Sequence, residues 1–392
     1  MNIAILGLGT VGTGVAKIVE GADAMTKAAD LHVSHVFVRP EKADASKRLT
    51  SDYDAILNDD DVDAVVEVLG GIEPAHSMIL DALRHQKHVV TANKAVVARY
   101  MEEFVQTAKD NVVQFRFEAS VAGGIPWITN LERTLRIDSI NSFHGIFNGT
   151  SNFILDQMTK TGASFDSILK QAQDLGYAEA DPSADIDGYD IENKLCISLD
   201  IAYDTLVHPG DNLPKFGIRT IQAQDIDFFK QQGWVVKLIG RSVRHGDHFS
   251  YVIEPMLCRA GSIEASISDN FNYASLHGDS IGELGFMGQG AGMLPTAHAV
   301  VQDLLDVKCS NEHLDRCFGK TLQLDNRSDE GTYWVRTSAA QFKELAKAWH
   351  PVEHDGYFKV EDIDAQSMHD LMKELLLIDA NAFMARESGG VD

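Results

Sequence analysis

The sequence predicts an α/β protein: a Rossmann-type parallel-sheet domain, then an α+β domain, then a short α+β segment at the C-terminus. Three observations predict it. Short apolar runs alternate with amphipathic helical stretches through the first third, a glycine turn joins the first run to the first helix, and the pattern changes near Asp138. A length of 392 residues exceeds one ordinary domain and suits two or three.

Ile3 to Leu6 is the first apolar run, followed by Gly7-Leu8-Gly9-Thr10-Val11-Gly12 and an amphipathic stretch through Val15, Ile18 and Val19. Further runs at Leu31–Val38, Ala64–Leu69, His88–Thr91 and Val112–Phe117 are separated by helical stretches such as Ala75–Arg84 and Ala95–Asp110. Strands alternating with helices imply a parallel sheet. From Asp138 the expectation is a strand, Ser139–Phe147, then long helices over Asn152–Lys170 and Ile186–Asp204. Strand signals return at Trp234–Val243 and His248–Leu257, and a glycine-rich segment from Gly282 to Gly292 precedes a helix, Thr296–Leu305. After a polar linker the tail reads strand (Tyr333–Arg336), helix (Ala339–Trp349), strand (Gly356–Val360), helix (Ala365–Leu376), strand (Ala382–Arg386).

Composition excludes several classes. Hydrophobic residues at 44% and charged residues at 23% match an ordinary globular chain, so disorder is not its main state. Lys plus Arg number 34 against 58 Asp plus Glu, and a formal charge of −24 repels polyanions, so no nucleic-acid partner is expected. No apolar stretch reaches the length of a membrane helix; the best, Leu375 to Ala385, is broken by Asp379 and Asn381. The start has no basic segment and its apolar run stops at Gly7, so it reads as a strand and not as a signal peptide. Cys196, Cys258, Cys309 and Cys317 lie far apart with no zinc spacing, as expected of reduced thiols in a soluble cytoplasmic protein.

The glycine turn is a dinucleotide signal because it follows a strand and opens a helix. Gly7 permits the tight turn, Gly9 lets a pyrophosphate approach the backbone, and Gly12 lets helix and strand pack closely. Thr10 and Val11 open the helix whose N–H groups face the phosphates. An acid ending the second strand would grip the ribose of NAD, yet this strand ends Phe37-Val38-Arg39-Pro40. The Arg39 guanidinium offers a fork for a 2′-phosphate, which favours NADP with NAD still possible; an exposed arginine at a strand end is the plainer alternative.

Six carboxylates, Glu179, Asp181, Asp185, Asp187, Asp190 and Glu192, fall within fourteen residues. The run resembles a calcium loop, but with Gly188 at the sixth position the first and twelfth ligands would be Ser183 and Lys194, which cannot serve. Asp190 and Lys194 stand four apart in the favourable helical orientation, a spacing that by itself predicts a surface pair contributing a few tenths of a kcal/mol.

Several motifs in order resemble the homoserine dehydrogenase family from residue 1 to about 307. Besides the glycine turn they are Val65-Val66-Glu67-Val68-Leu69-Gly70-Gly71, Val90-Thr91-Ala92-Asn93-Lys94, Glu118-Ala119-Ser120-Val121-Ala122-Gly123-Gly124-Ile125-Pro126, Asn148-Gly149-Thr150-Ser151-Asn152, Gly176-Tyr177-Ala178-Glu179-Ala180-Asp181-Pro182 and Gly288-Gln289-Gly290-Ala291-Gly292. The resemblance implies reversible reduction of aspartate 4-semialdehyde to homoserine with NAD(P)H in threonine and methionine biosynthesis. It implies catalytic Lys194, Lys94 and Asp190, and a substrate pocket lined by Glu179, Asp185, Thr150 and Gly149. It implies that Gly70, Lys94, Gly290 and Gly292 join Gly7, Gly9, Thr10, Val11, Gly12 and Arg39 at the cofactor. It also implies that oxygens of Glu118, Val121, Gly123 and Ile125 hold a monovalent cation such as sodium, and that the chain forms a homodimer or higher homo-oligomer.

In these terms the domains are 1–137 with 288–310 for the cofactor, 138–287 for catalysis and dimerisation, a 311–329 linker, and 330–392. Many members end in an ACT domain, whose glycine turn after the first strand binds an amino-acid effector. Here Thr337-Ser338-Ala339-Ala340 replaces that turn, so a degenerate ACT-like domain is expected. The chemistry agrees independently: hydride addition leaves an alkoxide that needs a proton donor within reach, which a buried lysine supplies. Two rivals stand beside this reading, another NADP-dependent amino-acid dehydrogenase such as an aspartate dehydrogenase, and a redox-sensing NADP-binding protein without turnover.

Overall fold

In a computed structural model of the chain, residues 1–21, 29–44, 48–210, 213–310, 318 and 322–389 are described. The described residues form two compact units, one of 1–137, 196–209 and 288–320, the other of 138–195, 210–287 and 321–392. No helix among them is long and apolar enough to cross a membrane.

The first unit holds a parallel sheet of six strands, β1 (Asn2–Leu6), β2 (His32–Phe37), β3 (Leu49–Thr50), β4 (Ala64–Glu67), β5 (His88–Thr91) and β6 (Phe115–Arg116), in the order β3-β2-β1-β4-β5-β6. The order reverses beside β1, and such a switch point leaves a crevice at the carboxyl ends of the strands where open α/β sheets bind ligands. Ile3 and Ile5 of β1 and Val66 of β4 are buried with Val15 of the first helix, which is why these short apolar runs become central strands. Val300 and Leu304 of the helix Met293–Lys308 join the same core, so a segment late in the sequence completes this unit. The helix Thr10–Val19 meets it at Gly14, where an added Cβ would stand 2.6 Å from the Met293 carbonyl oxygen and 2.8 Å from the Ala297 Cβ.

The second unit is built on an eleven-stranded mixed sheet. Its strands are β7 (Ile140–Ile146), β8 (Trp234–His245), β9 (His248–Phe249), β10 (Val252–Arg259), β11 (Phe271–Gly278), β12 (Gly282–Gln289), β13 (Gln323–Leu324), β14 (Glu330–Arg336), β15 (Val352–His354), β16 (Tyr357–Asp364) and β17 (Phe383–Glu387). The main path runs β12-β11-β7-β8-β10-β17-β14-β16-β15.

Two expected long helices are divided. Gly162, at φ +70°, ends Gly149–Thr161 in a left-handed cap, and Ser164 starts Phe165–Asp174 by accepting from the Ser167 N–H. Gly188, at φ +87°, separates Ser183–Ile186 from Tyr189–Tyr203. The expected strand His248–Leu257 is likewise two strands, and the glycine-rich 282–289 is itself a strand at the sheet edge.

The tail differs most from expectation. It has the βαββαβ order, with a short fourth strand, β15, that the sequence pattern did not announce, and its long helix is reduced to Phe342–Leu345 and a turn at Lys347–Trp349. It is not a compact body of its own, because β17 pairs in parallel with β10 (Met256 with Arg386, Leu257 with Glu387) and extends the large sheet. Buried charges fasten that seam: Arg386 bonds Asp329 at 2.7 Å, and His369 meets Glu254 of β10 at 2.9 Å. Removing Arg386 would strand buried carboxylates, a change that typically costs about 3–5 kcal/mol. Where the glycine turn of an ACT domain would stand, Thr337 Oγ1 and the Ser338 N–H donate to Asp379 at 2.8 and 2.7 Å. The expected linker falls on 311–329, of which 311–317 and 319–321 lie outside the described residues, as does Cys317. The other cysteines are unbridged, with Cys196 and Cys258 buried and Cys309 exposed.

Candidate active site

The candidate site residues fall into two constellations, one in each unit. In the first unit, β1 delivers the chain into Gly7, which sits at φ +104° and donates its N–H to the Phe37 carbonyl at 3.0 Å. A Cβ on Gly12 would collide with the Gly7 carbonyl oxygen, whereas one on Gly9 would meet nothing within 4 Å. Gly12 is therefore fixed by packing, and Gly9 faces open space of the kind a pyrophosphate fills. Thr10 and Val11 begin the helix that Gly9 caps. Arg39 follows β2, which is registered to β1 by Leu6 with Phe37, so it lies one strand over from the glycine turn. Its side chain is 80% exposed, with Glu41 at 3.8 Å.

At the carboxyl edge of β4 and β5, Glu67, Thr91 and Asn93, which stand in two of the motifs but have no role assigned from the sequence, form a brace. Glu67 is fully buried; its carboxylate accepts from Thr91 Oγ1 at 2.6 Å and from the Leu69 N–H at 2.7 Å. Burial holds this carboxyl above the usual carboxylate range. Asn93 donates to the Gly71 carbonyl at 2.7 Å and caps the helix Lys94–Asp110 through the Val96 N–H at 3.4 Å. Gly70 and Lys94 thus occupy adjacent, mutually braced loops at the sheet edge. The signal that could have found the brace is an acid inside an otherwise apolar run, Val65-Val66-Glu67-Val68.

The segment Glu118 to Ile125 is largely buried. The Glu118 carboxylate accepts from the Ile128 and Thr129 N–H groups at 2.9 and 2.8 Å and from Thr129 Oγ1 at 2.6 Å, so it caps the next helix, and burial pushes it up to about 7. Its backbone carbonyl and that of Ile125 accept from Val121 and Trp127, but among the described residues no backbone N–H donates to the carbonyls of Val121 or Gly123. A Cβ on Gly123 would stand 2.5 Å from Gly290, and the Gly124 N–H donates to the Gln289 carbonyl at 3.2 Å. The 118–125 loop and the Gly290–Gly292 loop are therefore packed together, and Gly292, at φ +132°, caps the helix Met293–Lys308.

In the second unit the acidic run resolves into separate partnerships. Asp187 takes a two-pronged contact from Arg219 at 2.8 and 2.6 Å, Glu192 takes Lys215 at 3.0 Å, and Asp181 caps Ser183. Asp190 and Lys194 are bonded at 2.6 Å, each side chain only 9% exposed, so the expected surface pair is a buried one. The reason is the helix Tyr189–Tyr203, whose face bearing Ile191 and Leu195 packs on β8 at Gly240 and draws the neighbouring positions inward. Lys194 Nζ also donates to the Phe147 carbonyl at 2.6 Å, and Asn148 Nδ2 bridges Asp185 at 2.7 Å and Asp190 at 2.9 Å. Asn148 Oδ1 accepts from the Ser151 N–H at 2.7 Å and so caps the helix that Gly149 and Thr150 open. Thr150 Oγ1 donates to the Tyr177 carbonyl at 2.6 Å, tying the helix start to the segment carrying Glu179. Glu179 is exposed, and among the described residues its carboxylate joins no ion pair. Lys194, Asp190, Asp185, Gly149 and Thr150 are thus brought together, with Phe147 and Asn148 as members that the sequence reading gave no part.

A family model described as homoserine dehydrogenase matches residues 126–305, and one described as the homoserine dehydrogenase NAD-binding domain matches 7–118. A homoserine dehydrogenase of Synechocystis is 41% identical over 319 residues, covering 78% of this chain and 73% of that protein. The crystal structure of a homoserine dehydrogenase from Thiobacillus denitrificans superposes with a TM-score of 0.85 at 30% identity, covering 99% of this chain and 98% of that one. A hyperthermophilic archaeal homoserine dehydrogenase in complex with NADPH matches with a TM-score of 0.66 at 25% identity, covering 80% of this chain and 99% of that one.

Proposed function

The chain belongs to the homoserine dehydrogenase family, oxidoreductases that interconvert aspartate 4-semialdehyde and homoserine with a nicotinamide cofactor, and from that premise we propose how its own residues do the work. The observation that carries the proposal is the buried Lys194 ammonium, bonded at 2.6 Å to Asp190 and at 2.6 Å to the Phe147 carbonyl. Held in that way, it is the proton donor to the alkoxide oxygen of the reduced substrate, and in the reverse direction the base that takes the hydroxyl proton of homoserine. Asp190 fixes its position and balances its charge. Bound nicotinamide supplies or accepts the hydride.

Glu179 takes the substrate ammonium by a charge-assisted contact. The N–H groups of Gly149 and Thr150, at the start of a thirteen-residue helix, take its α-carboxylate. Asp185, bridged to Asp190 through Asn148, orients the same pocket. Lys94, at the first turn of its helix on the carboxyl edge of the parallel sheet, serves as the second catalytic lysine and contacts the cofactor. Gly7, Gly9, Thr10, Val11, Gly12 and Gly70 cradle the dinucleotide, and the Gly290–Gly292 loop closes on it. Arg39 selects NADP over NAD by its guanidinium.

The monovalent cation belongs to the 118–125 loop, where the Val121 and Gly123 carbonyls accept no backbone N–H among the described residues. Oxygens of Glu118 and Ile125 would complete its shell, which suits a hard ion. A homodimer in the cytoplasm is the assembly and location we assign, on the strength of the family resemblance. The test is a steady-state assay of homoserine oxidation with NADP⁺ and with NAD⁺. Turnover that is faster with NADP⁺ is expected, and cofactor binding without turnover would leave only a redox-sensing binder.

A further inference from the structure

On the β7-β11-β12 side of the second unit, a group of side chains remains that the reaction does not use. His144 of β7, Glu264 of the short helix Ile263–Ser266 and Glu283 of β12 offer one imidazole nitrogen and two carboxylate oxygens, all within 4.8 Å of one another. His144 Nε2 lies 3.0 Å from Glu264 Oε1, a carboxylate that Ser262 and its own backbone N–H also hydrogen-bond, and Ser275 Oγ donates to Glu283 Oε1 at 3.2 Å. No lysine or arginine among the described residues pairs with either glutamate, so two carboxylates face a single imidazole. Such a set has the donors to take a cation.

A second observation points into the same place. Tyr273 is 2% exposed, and its buried hydroxyl has no hydrogen-bond partner among the described residues. A buried hydroxyl is ordinarily satisfied. Tyr273 stands two residues before Ser275 on β11, and Ser275 is registered opposite His144, so the three share one face of the sheet. The rings of Tyr273 and His144 are 6.0 Å apart, and the tyrosine oxygen lies so close over Gly285 that a Cβ there would collide with it. Gly285 in turn is two residues from Glu283 on β12, so the hydroxyl ends beside the two carboxylates.

We propose that His144, Glu264 and Glu283 form a site for one divalent transition-metal ion of the zinc class, with the Tyr273 hydroxyl facing its open position. One imidazole and two carboxylates are donors zinc accepts, whereas calcium and magnesium prefer oxygen alone. Zinc bonds of about 2.0–2.2 Å put tetrahedral donors about 3.3 Å apart, so the group must close by about 1.5 Å, which the exposed Glu283 side chain supplies by changing rotamer. Binding replaces the hydrogen on His144 Nε2 by the metal and moves that proton to Nδ1 or to solvent. The ion would pin the edge strand β12, which the chain follows directly into Gly290–Gly292, to the interior strand β7.

The test is equilibrium dialysis of the full chain, stripped of metal, against zinc chloride, for the wild type, His144→Ala and Glu283→Gln. The wild type is expected to hold one more equivalent of zinc than His144→Ala, and Glu283→Gln to bind that equivalent at least about tenfold more weakly. Glu283 is exposed at the sheet edge, so its variant keeps the fold and remains informative if His144→Ala does not fold. Cobalt in place of zinc adds a spectroscopic reading, with visible absorption bands in the wild type that shift in Glu283→Gln. Equal zinc stoichiometry and affinity in the wild type and Glu283→Gln, with unchanged cobalt bands, would overturn the site and leave an ordinary histidine–glutamate hydrogen bond.

Discussion

Asn148 Nδ2 lies 2.9 Å from Asp190 Oδ2, the same oxygen that binds Lys194 at 2.6 Å. One carboxylate oxygen thus takes both the proposed proton donor and an amide that holds Asp185 on its other side at 2.7 Å. Asn148→Asp keeps the helix cap, since either side chain accepts from the Ser151 N–H, but it sets a third negative charge against two carboxylates. We expect kcat to fall by about a hundredfold, the scale of a misplaced reacting group, and the melting temperature to fall as well, because a buried carboxylate replaces an amide that donated two hydrogen bonds. Steady-state kinetics beside a melting curve checks both, and normal kcat would remove Asn148 from the positioning of Lys194.

Glu179 is expected to act on binding. Glu179→Gln weakens a charge-assisted contact to the substrate ammonium, so KM for homoserine should rise by about tenfold while kcat at saturation changes little. Loss of kcat at unchanged KM would contradict the assignment.

Arg39 stands beyond the glycine turn with its side chain 80% exposed and only a long, exposed contact to Glu41 at 3.8 Å. Arg39→Ala should raise KM for NADPH by about tenfold and leave KM for NADH nearly alone. Equal weakening of both cofactors would show that the guanidinium does not read the 2′-phosphate.

Lys237 gives a pH signature that is independent of catalysis. It is 1% exposed, donates to Asn152 Oδ1 at 2.9 Å and to the Ile267 carbonyl at 2.5 Å, and burial pushes its ammonium down to about 8. Between about 8 and 10.5 the unfolded chain keeps a proton that the folded chain has released, so stability from this residue rises with pH across that window. Below it both states are charged and the gain is absent. Urea unfolding of the wild type and Lys237→Met should therefore show a difference that moves in favour of the wild type as pH climbs through the window. A difference independent of pH would mean that Lys237 titrates normally.

The alternating strands of the first third, the glycine turn and the return of the helix at Met293–Lys308 were legible because period and turn chemistry are local. What was not legible depended on distant partners. The helix breaks at Gly162 and Gly188 depend on left-handed backbone that some glycines of the chain adopt, such as Gly176 and Gly233, and others, such as Gly12 and Gly14, do not, and spacing alone does not distinguish them. The Asp190–Lys194 spacing read as a surface pair because only packing on β8 buries it. Phe147 enters the site through its backbone carbonyl, which carries no side-chain signal at all. The tail showed its element order, but nothing in Phe383–Glu387 announces that this strand pairs with β10.

The central claim is that Lys194 moves the proton, and Lys194→Met tests it most directly. The side chain keeps its bulk and loses its ammonium, so NADPH binding should persist while kcat falls by about two to four orders of magnitude, the range for a lost general acid. The measurement is single-turnover oxidation of bound NADPH on adding aspartate 4-semialdehyde, with NADPH affinity followed by fluorescence in the same samples. A rate within tenfold of the wild type, at undiminished NADPH affinity, would contradict the account.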